Sequence, residues 1–242
     1  DFKHRRFEDD IDTLIQHAGA KLAYLMVPKM DCVEDAQAAI ESIKAARLKH
    51  CVGHIVPVHG LIETHRGVQQ VADIAALPGL ESLSFGLMDF VSEHRGAIPA
   101  SAMSVQGQFS HPLVMRAKLE ISAACHAAAI TPSHCVVTEF KDKRALSLAA
   151  EKASRELGYT RMWSIHPDQI PVIIEAFAPV VAEVDDAIEI LTDAQAAHWA
   201  PISPRGTPHD RASYRHYWHV LERAWLTGQP LPGEIKRAFF SD

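Results

Sequence analysis

Hydrophobic positions along the chain alternate between short apolar runs and longer segments with helical spacing. Five apolar runs are typical of buried strands, and they cover residues 22–27, 55–62, 83–88, 135–140 and 162–165. The segments between them place apolar residues three and four positions apart, as at Val33, Ala36, Ile40 and Ile43, which predicts amphipathic helices. Alternation of strand and helix favours parallel β/α units.

The pattern changes after residue 166, where two helical segments are followed by a loop rich in proline and glycine. A further amphipathic helix, rich in aromatic residues, is predicted from residue 211 onward. We therefore predict a β/α barrel domain over residues 1–198 and a loop-helix extension over residues 199–242.

Two folds share this alternation, a doubly wound open sheet and a (β/α)8 TIM barrel. The phosphate-loop fingerprints GxGxxG and GxxxxGK[ST], which would favour the open sheet, do not occur. A full barrel needs eight units, and the sequence shows five. We expect a barrel of the α/β class whose N-terminal units lie before residue 1.

Composition and charge exclude several classes of partner and site, but they do not indicate a reaction. The chain has 242 residues, 48% of them hydrophobic, and a net charge of -6, which argues against nucleic acid as a partner. The apolar runs are shorter than the roughly 20 residues of a membrane span, so we expect no membrane association. None of the four cysteines forms a CxxC pair, which predicts reduced, buried thiols in a cytoplasmic protein. The 15 histidines include no HExxH motif, so a zinc site is disfavoured.

Two acidic residues end consecutive apolar runs, Glu63 after 55–62 and Asp89 after 83–88. Neighbouring parallel strands lie about 4.8 Å apart, and the carboxyl ends of barrel strands carry the chemistry. Two carboxylates there suit Mg²⁺, which keeps open positions for water and substrate oxygens. The alternative is that both acids cap helices, since acids are common at helix N-termini.

Four short runs carry a resemblance to a known family: LMVPKM, HGLIETHRGV, LSFGLMDF and MWSIHPDQI. Together, in this order, they make the chain similar to the citrate lyase beta-subunit-like family, also called the HpcH/HpaI aldolase family. The resemblance spans residues 20 to 190 or so and implies a β/α barrel that assembles as a homotrimer or a multiple of it. It also implies Mg²⁺ held by Glu63 and Asp89, and cleavage or formation of a carbon–carbon bond in a 2-hydroxy acid, often as its coenzyme A thioester.

The resemblance extends to the substrate. The backbone around Gly86, Leu87 and Met88 is expected to meet the substrate carboxylate, since glycine permits close approach. Lys29, at the end of its own run, is a candidate for anion binding, although a solvated lysine at the start of a loop fits equally well.

The chain also departs from the family pattern. The DLED-like and RVN-type strand ends do not occur, so a substrate-binding arginine is expected outside this sequence. The fourth run ends in Thr138, Glu139 and Phe140 in place of the usual Asp-Gly, which changes the site near that strand and indicates a distinct subgroup.

The C-terminal extension has its own candidate. In coenzyme A lyases that the chain resembles, such a segment can close over the neighbouring subunit and supply an acid. Asp210 is our candidate for the general acid or base that acts on the enolate carbon. The alternative is that Asp210 is the N-cap of the helix that follows.

We expect a Mg²⁺-dependent lyase that cleaves malyl-, citramalyl- or citryl-coenzyme A to a 2-oxo acid and acetyl-coenzyme A. Two alternatives stay open. One is an aldolase that acts on free pyruvate and an aldehyde, and the other is a citrate lyase beta-type subunit that needs a separate acyl carrier and is inactive alone.

Overall fold

The structure is a computed structural model, and it describes residues 3–139 and 141–240. Five strands alternate with helices, as the hydrophobic pattern predicts. The strands are β1 (Leu25–Val27), β2 (Val58–Ile62), β3 (Leu80–Phe85), β4 (Thr131–His134) and β5 (Arg161–Met162). The α-helices are α1 (Phe7–Ala18), α2 (Val33–Lys49), α3 (His65–Gln69), α4 (Val71–Ala75), α5 (Leu87–Ser92), α6 (Pro112–Ala127), α7 (Lys143–Arg155), α8 (Gln169–Phe177), α9 (Val181–Ala196), α10 (Arg211–Leu226) and α11 (Gly233–Phe239).

The five strands form one parallel sheet in the order β1-β2-β3-β4-β5. Each strand lies beside its successor, which is the strand order of a barrel wall and not of a doubly wound sheet, where the order reverses. The ends of β2 and β3 are aligned, because Ile62 is opposite Phe85. Residues that follow these two strands therefore emerge side by side.

The two faces of the sheet differ in polarity. Val58, Ile62 and Leu83 belong to the main hydrophobic core with helices α2, α4 and α6. Side chains alternate across a strand, so His59, Ser82, Ser84 and Ser133 lie on the opposite face. These four polar residues are nevertheless at most 1% exposed.

The third and fourth strands lie at other positions than the sequence predicted, and for the fourth strand the polar face is the reason. The fourth strand was predicted at 135–140, but it is Thr131–His134, and the apolar residues Cys135 and Val137 are buried in the loop that follows. Because Thr131 and Ser133 are polar, a search for apolar runs does not detect this strand. The third strand ends at Phe85, so Leu87 and Met88 are in helix α5 instead of a strand. Phe140 lies outside the described residues.

Two compact units divide the chain between Ile173 and Ile174. The second unit has its own core, formed by α9, α10 and α11, with Val184, Ile190 and Leu221 among its buried residues. The predicted boundary at residue 198 falls after α9, whereas α9 packs on α10 within this second unit.

The four cysteines are free. Cys32, Cys125 and Cys135 are buried as predicted, but Cys51 is exposed. Cys51 follows α2 with a positive φ of 53°, in a turn that leaves its side chain in solvent. Among the described residues, no helix is both long enough and apolar enough to span a membrane.

Candidate active site

Glu63 directly follows β2 at the carboxyl end of the sheet. The adjacent residue Thr64, and not Glu63, caps helix α3, because its Oγ1 accepts a hydrogen bond from the backbone N–H of Gly67 at 3.0 Å. The helix-cap alternative for Glu63 is therefore wrong. Glu63 is 5% exposed as a residue, and its Oε2 accepts a hydrogen bond from the backbone N–H of Lys29 at 2.8 Å.

Lys29 supports Glu63 through its main chain. It has a φ of 60°, a left-handed conformation that side chains other than glycine rarely adopt. The next residue, Met30, donates its backbone N–H to Leu61 at 3.1 Å, so the turn after β1 is fixed on both sides. The Lys29 side chain is exposed, and its part in anion binding stays a prediction.

Gly86 brings the end of β3 against Glu63. Its N–H donates to the Ile62 carbonyl at 2.9 Å, which holds the two strand ends together. A Cβ at this position would overlap the Glu63 side chain, so any other residue would displace the Glu63 carboxylate. Asp89 lies three residues further on, in the first turn of α5 and exposed to solvent. An acid there is favourable for the helix dipole as well.

Burial and charge make Glu63 an unusual carboxyl. Burial, together with the negative charge of Asp89, raises the pKa of Glu63 to about 7, and the Lys29 N–H opposes this rise. The carboxylate of the exposed Asp89 repels that of the buried Glu63. A cation placed between them would relieve both the repulsion and the desolvation.

A cavity of about 480 Å³ opens above these strand ends. Of the predicted site residues, Glu63, Gly86, Leu87, Met88 and Asp89 all line it. Thr138 and Glu139, which the sequence predicted to change the site, line it as well. The sequence did not predict the other lining residues, which are Phe85, Ala100, Met103, Ser104, Val136 and Trp163. Trp163 lies within the MWSIHPDQI run, so it had a sequence signal. Ala100, Met103 and Ser104 come from the connection between α5 and α6, which has none.

Gln169, from the MWSIHPDQI run, holds the cavity wall in place. It is 1% exposed, and its Nε2 donates to the Val137 carbonyl at 2.9 Å while its Oε1 accepts from the Ile165 N–H at 2.9 Å. Val137 immediately precedes Thr138 and Glu139 in the wall. The Glu139 carboxylate in turn accepts from the N–H of Val105 at 3.3 Å, which ties the two loops together.

The donor set fits a magnesium ion that is only partly held by protein. Among the described residues, no three His, Cys, Asp or Glu side chains come together as a complete metal site. Mg²⁺ does not need one, because it usually binds one or two carboxylates and fills its other positions with water and substrate oxygens. Glu63 and Asp89 supply two hard oxygen donors beside an open cavity.

Asp210 belongs to the second unit. It is the N-cap of α10, where its Oδ1 accepts from the Ala212 N–H at 2.9 Å and its own N–H donates to Ser213 Oγ at 3.1 Å. The capping role that we considered is therefore present. The catalytic role of Asp210 stays a prediction.

Residues 3–167 match the HpcH/HpaI aldolase/citrate lyase family. The chain belongs to this family. It is 31% identical over 200 residues to an L-malyl-CoA/beta-methylmalyl-CoA lyase of Cereibacter sphaeroides, a match that covers 78% of this chain and 62% of that relative. The chain thus spans less than two thirds of the length of such relatives.

Solved structures agree on the fold. A citrate lyase from Burkholderia xenovorans is 50% identical, with a TM-score of 0.84 over 99% of this chain and 75% of that one. The Mycobacterium tuberculosis protein CitE, solved with magnesium, acetoacetate and coenzyme A, has a TM-score of 0.68 over 92% of this chain and 75% of that one. At 22% identity, this second likeness supports the fold alone.

Proposed function

We propose that this protein is a Mg²⁺-dependent carbon–carbon lyase that cleaves the coenzyme A thioester of a short 2-hydroxy acid, of the malyl, citramalyl or citryl type, in which the hydroxyl carbon is β to the thioester carbonyl. The products are a 2-oxo acid and acetyl-coenzyme A. The observation that carries the proposal is the placement of Glu63 and Asp89 after two aligned strands, at one cavity, in a chain of the HpcH/HpaI aldolase/citrate lyase family.

Glu63 and Asp89 would hold the metal, and Lys29 would keep the Glu63 carboxylate oriented through its backbone N–H. When bound, Mg²⁺ supplies Lewis-acid polarisation of the substrate's hydroxyl and carboxylate oxygens. The first N–H groups of a helix have no acceptor within the helix, so those of Leu87 and Met88 are suited to receive the substrate carboxylate. The apolar wall, which includes Met103 and Trp163, excludes water from the bond that breaks.

The reaction balances with one proton moved. The 2-hydroxyl gives its proton to solvent as the adjacent carbon–carbon bond breaks, which leaves the 2-oxo acid and the enolate of acetyl-coenzyme A. The enolate carbon then takes a proton from a carboxyl group that solvent reprotonates, and we assign this carboxyl to Asp210 of a neighbouring subunit. A complete eight-stranded barrel, a trimeric assembly and the anion-binding role of the Lys29 side chain are parts of the same proposal.

The test is a coupled assay that follows acetyl-coenzyme A release from malyl-, citramalyl- and citryl-coenzyme A. The protein is measured with Mg²⁺, with a chelator, and after excess Mg²⁺ is restored. Turnover of one thioester that stops with chelator and returns with Mg²⁺ is the expected result. Turnover that continues in chelator would contradict the role of the metal.

Two other outcomes would replace the proposal. Activity on free pyruvate and an aldehyde, with none on thioesters, would make the protein a pyruvate aldolase. Activity that appears only when an acyl carrier protein is mixed in would make it a carrier-dependent subunit.

A further inference from the structure

A second cavity, of about 530 Å³, lies within the C-terminal unit and has no part in the proposed reaction. Its lining combines aromatic rings with two guanidinium groups, from Leu191, Trp199, Arg211, Tyr214, Arg215 and Trp218. We call it the tryptophan-arginine cavity. All six residues belong to α9, α10 and the loop between them.

The two arginines are placed where a helix does not favour them. Arg211 and Arg215 lie in the first five residues of α10, and a helix N-terminus disfavours positive charge. Four positions apart, they also face each other along the helix, and like charges at that spacing repel. Helix stability therefore does not account for either residue.

Neither guanidinium is neutralised by its surroundings. Arg205, in the loop before α10, binds Asp186 at 2.8 Å and Glu189 at 3.4 Å. Arg211 and Arg215 form no ion pair and no hydrogen bond with any residue in 3–139 or 141–240. Two uncompensated cations at the mouth of a cavity are suited to an anionic ligand.

The backbone is strained at the place where it presents the largest ring. His198 and Trp199 have positive φ angles of 52° and 62°, and such strain in residues other than glycine concentrates at functional sites. The turn is held by the Trp199 N–H, which donates to the Ala194 carbonyl at 2.7 Å. As a result the Trp199 side chain is 51% exposed and stands edge-to-face with Tyr214, with ring centroids 6.0 Å apart.

We propose that the tryptophan-arginine cavity binds a purine nucleotide, with the base stacked on Trp199 and the phosphates on Arg211 and Arg215. Indole rings bind planar bases by stacking, and guanidinium groups bind phosphate in a bidentate manner. The ligand is either a free nucleotide, which does not depend on the proposed lyase activity, or the nucleotide end of a coenzyme A thioester, in which case the inference rests on the proposed function.

The experiment is an equilibrium titration of the full chain, followed by tryptophan fluorescence in buffer that contains a chelator. The chelator removes any contribution from a metal at Glu63. The probes are 3′,5′-ADP, 5′-ADP, adenosine and inorganic pyrophosphate. We expect saturable quenching by the two nucleotides, and at least about tenfold weaker binding of adenosine.

Variants identify the cavity as the place of binding. Arg215→Gln and Trp199→Gly are each expected to weaken nucleotide binding at least about tenfold, and glycine also accepts the left-handed backbone at residue 199. Arg205→Gln removes the same charge from the same unit, and Trp225→Phe alters a tryptophan that stacks on Phe240 outside the cavity. Both controls are expected to leave the affinity unchanged.

The outcome also identifies the source of the ligand. Tighter binding of 3′,5′-ADP indicates the coenzyme A nucleotide, and tighter binding of 5′-ADP indicates a free nucleotide. Equal binding of adenosine and the nucleotides would overturn the proposal, and so would wild-type affinity in Arg215→Gln. An absence of quenching by any probe, with self-association that depends on Trp199, would show that a second copy of the chain covers the cavity instead.

Discussion

Gly86 illustrates how a single residue fixes the candidate metal site. Its N–H holds the ends of β2 and β3 together, and its missing side chain leaves room for the Glu63 carboxylate. Both properties are needed, since a larger residue would keep the hydrogen bond and still displace the acid. The sequence shows the glycine, but only the structure shows which neighbour requires it.

Gly86→Ala is expected to weaken Mg²⁺ binding and to lower turnover by about 10²-fold, because small displacements of reacting groups have effects of that size. Isothermal titration with Mg²⁺ and the thioester assay measure the two effects. Gly53→Ala is the matched control, since no atom lies within 4 Å of a Cβ at that glycine. Equal loss in both variants would mean that Gly86 acts only through stability.

Gln169 is a second residue whose role follows from its contacts. Gln169→Leu removes three side-chain hydrogen bonds, among them those to the Val137 carbonyl and the Ile165 N–H. We expect a loss of about 1–3 kcal/mol in the free energy of unfolding, measured by urea denaturation. Gln69→Leu, at an exposed position, should change it by less than about 0.5 kcal/mol. Similar losses in the free energy of unfolding for the two variants would show that the Gln169 hydrogen bonds do not stabilise the fold.

At the scale of the elements, the polar face of the sheet limited what the sequence could predict. The hydrophobic pattern predicted parallel β/α units and most of the helices, because those elements bury apolar side chains. It misplaced β4, where Thr131 and Ser133 leave too few apolar residues to mark a strand. It placed Asp89 at a strand end, whereas the first turn of α5 carries it to the cavity. The Glu63–Gly86 contact depends on strand register, which apolar spacing does not encode.

The same polar face predicts a dependence of stability on pH. His59 is buried between two serine hydroxyls. Its Nε2 lies 2.8 Å from Ser84 Oγ, and its Nδ1 lies 2.7 Å from Ser82 Oγ. Burial, with the nearby Arg161 charge, lowers the pKa of His59 from 6.5 to about 4. As the pH drops, the His59 imidazole is protonated in the unfolded chain before it is protonated in the folded protein. His59 therefore lowers the free energy of unfolding as the pH drops from 6.5 to 4.

The expected loss over that window is about 3 kcal/mol, from 1.36 kcal/mol per pKa unit. Urea denaturation of the wild type and of His59→Gln at several pH values measures it, and the difference between them isolates this histidine from the other 14. We expect a shallower pH dependence in the variant. Parallel curves would mean that His59 is not held neutral in the folded state.

At the scale of the whole molecule, the two compact units carry separate chemistry. The first has the acids and the cavity that we assign to the lyase reaction, and the second has the Asp210 cap and the tryptophan-arginine cavity. Sequence motifs were sufficient to identify the family, because they mark the strand ends of the first unit. They gave no sign of the second cavity, whose residues come together only when α9 packs against α10.

The central claim is that Glu63 and Asp89 form one magnesium site. Isothermal titration of the metal-free protein with Mg²⁺ tests it most directly, in the wild type, Glu63→Gln and Asp89→Asn, with the exposed Asp73→Asn as control. We predict that both site variants weaken Mg²⁺ binding at least about tenfold and that Asp73→Asn binds as the wild type does. Wild-type affinity in either Glu63→Gln or Asp89→Asn would contradict the account and place the metal elsewhere.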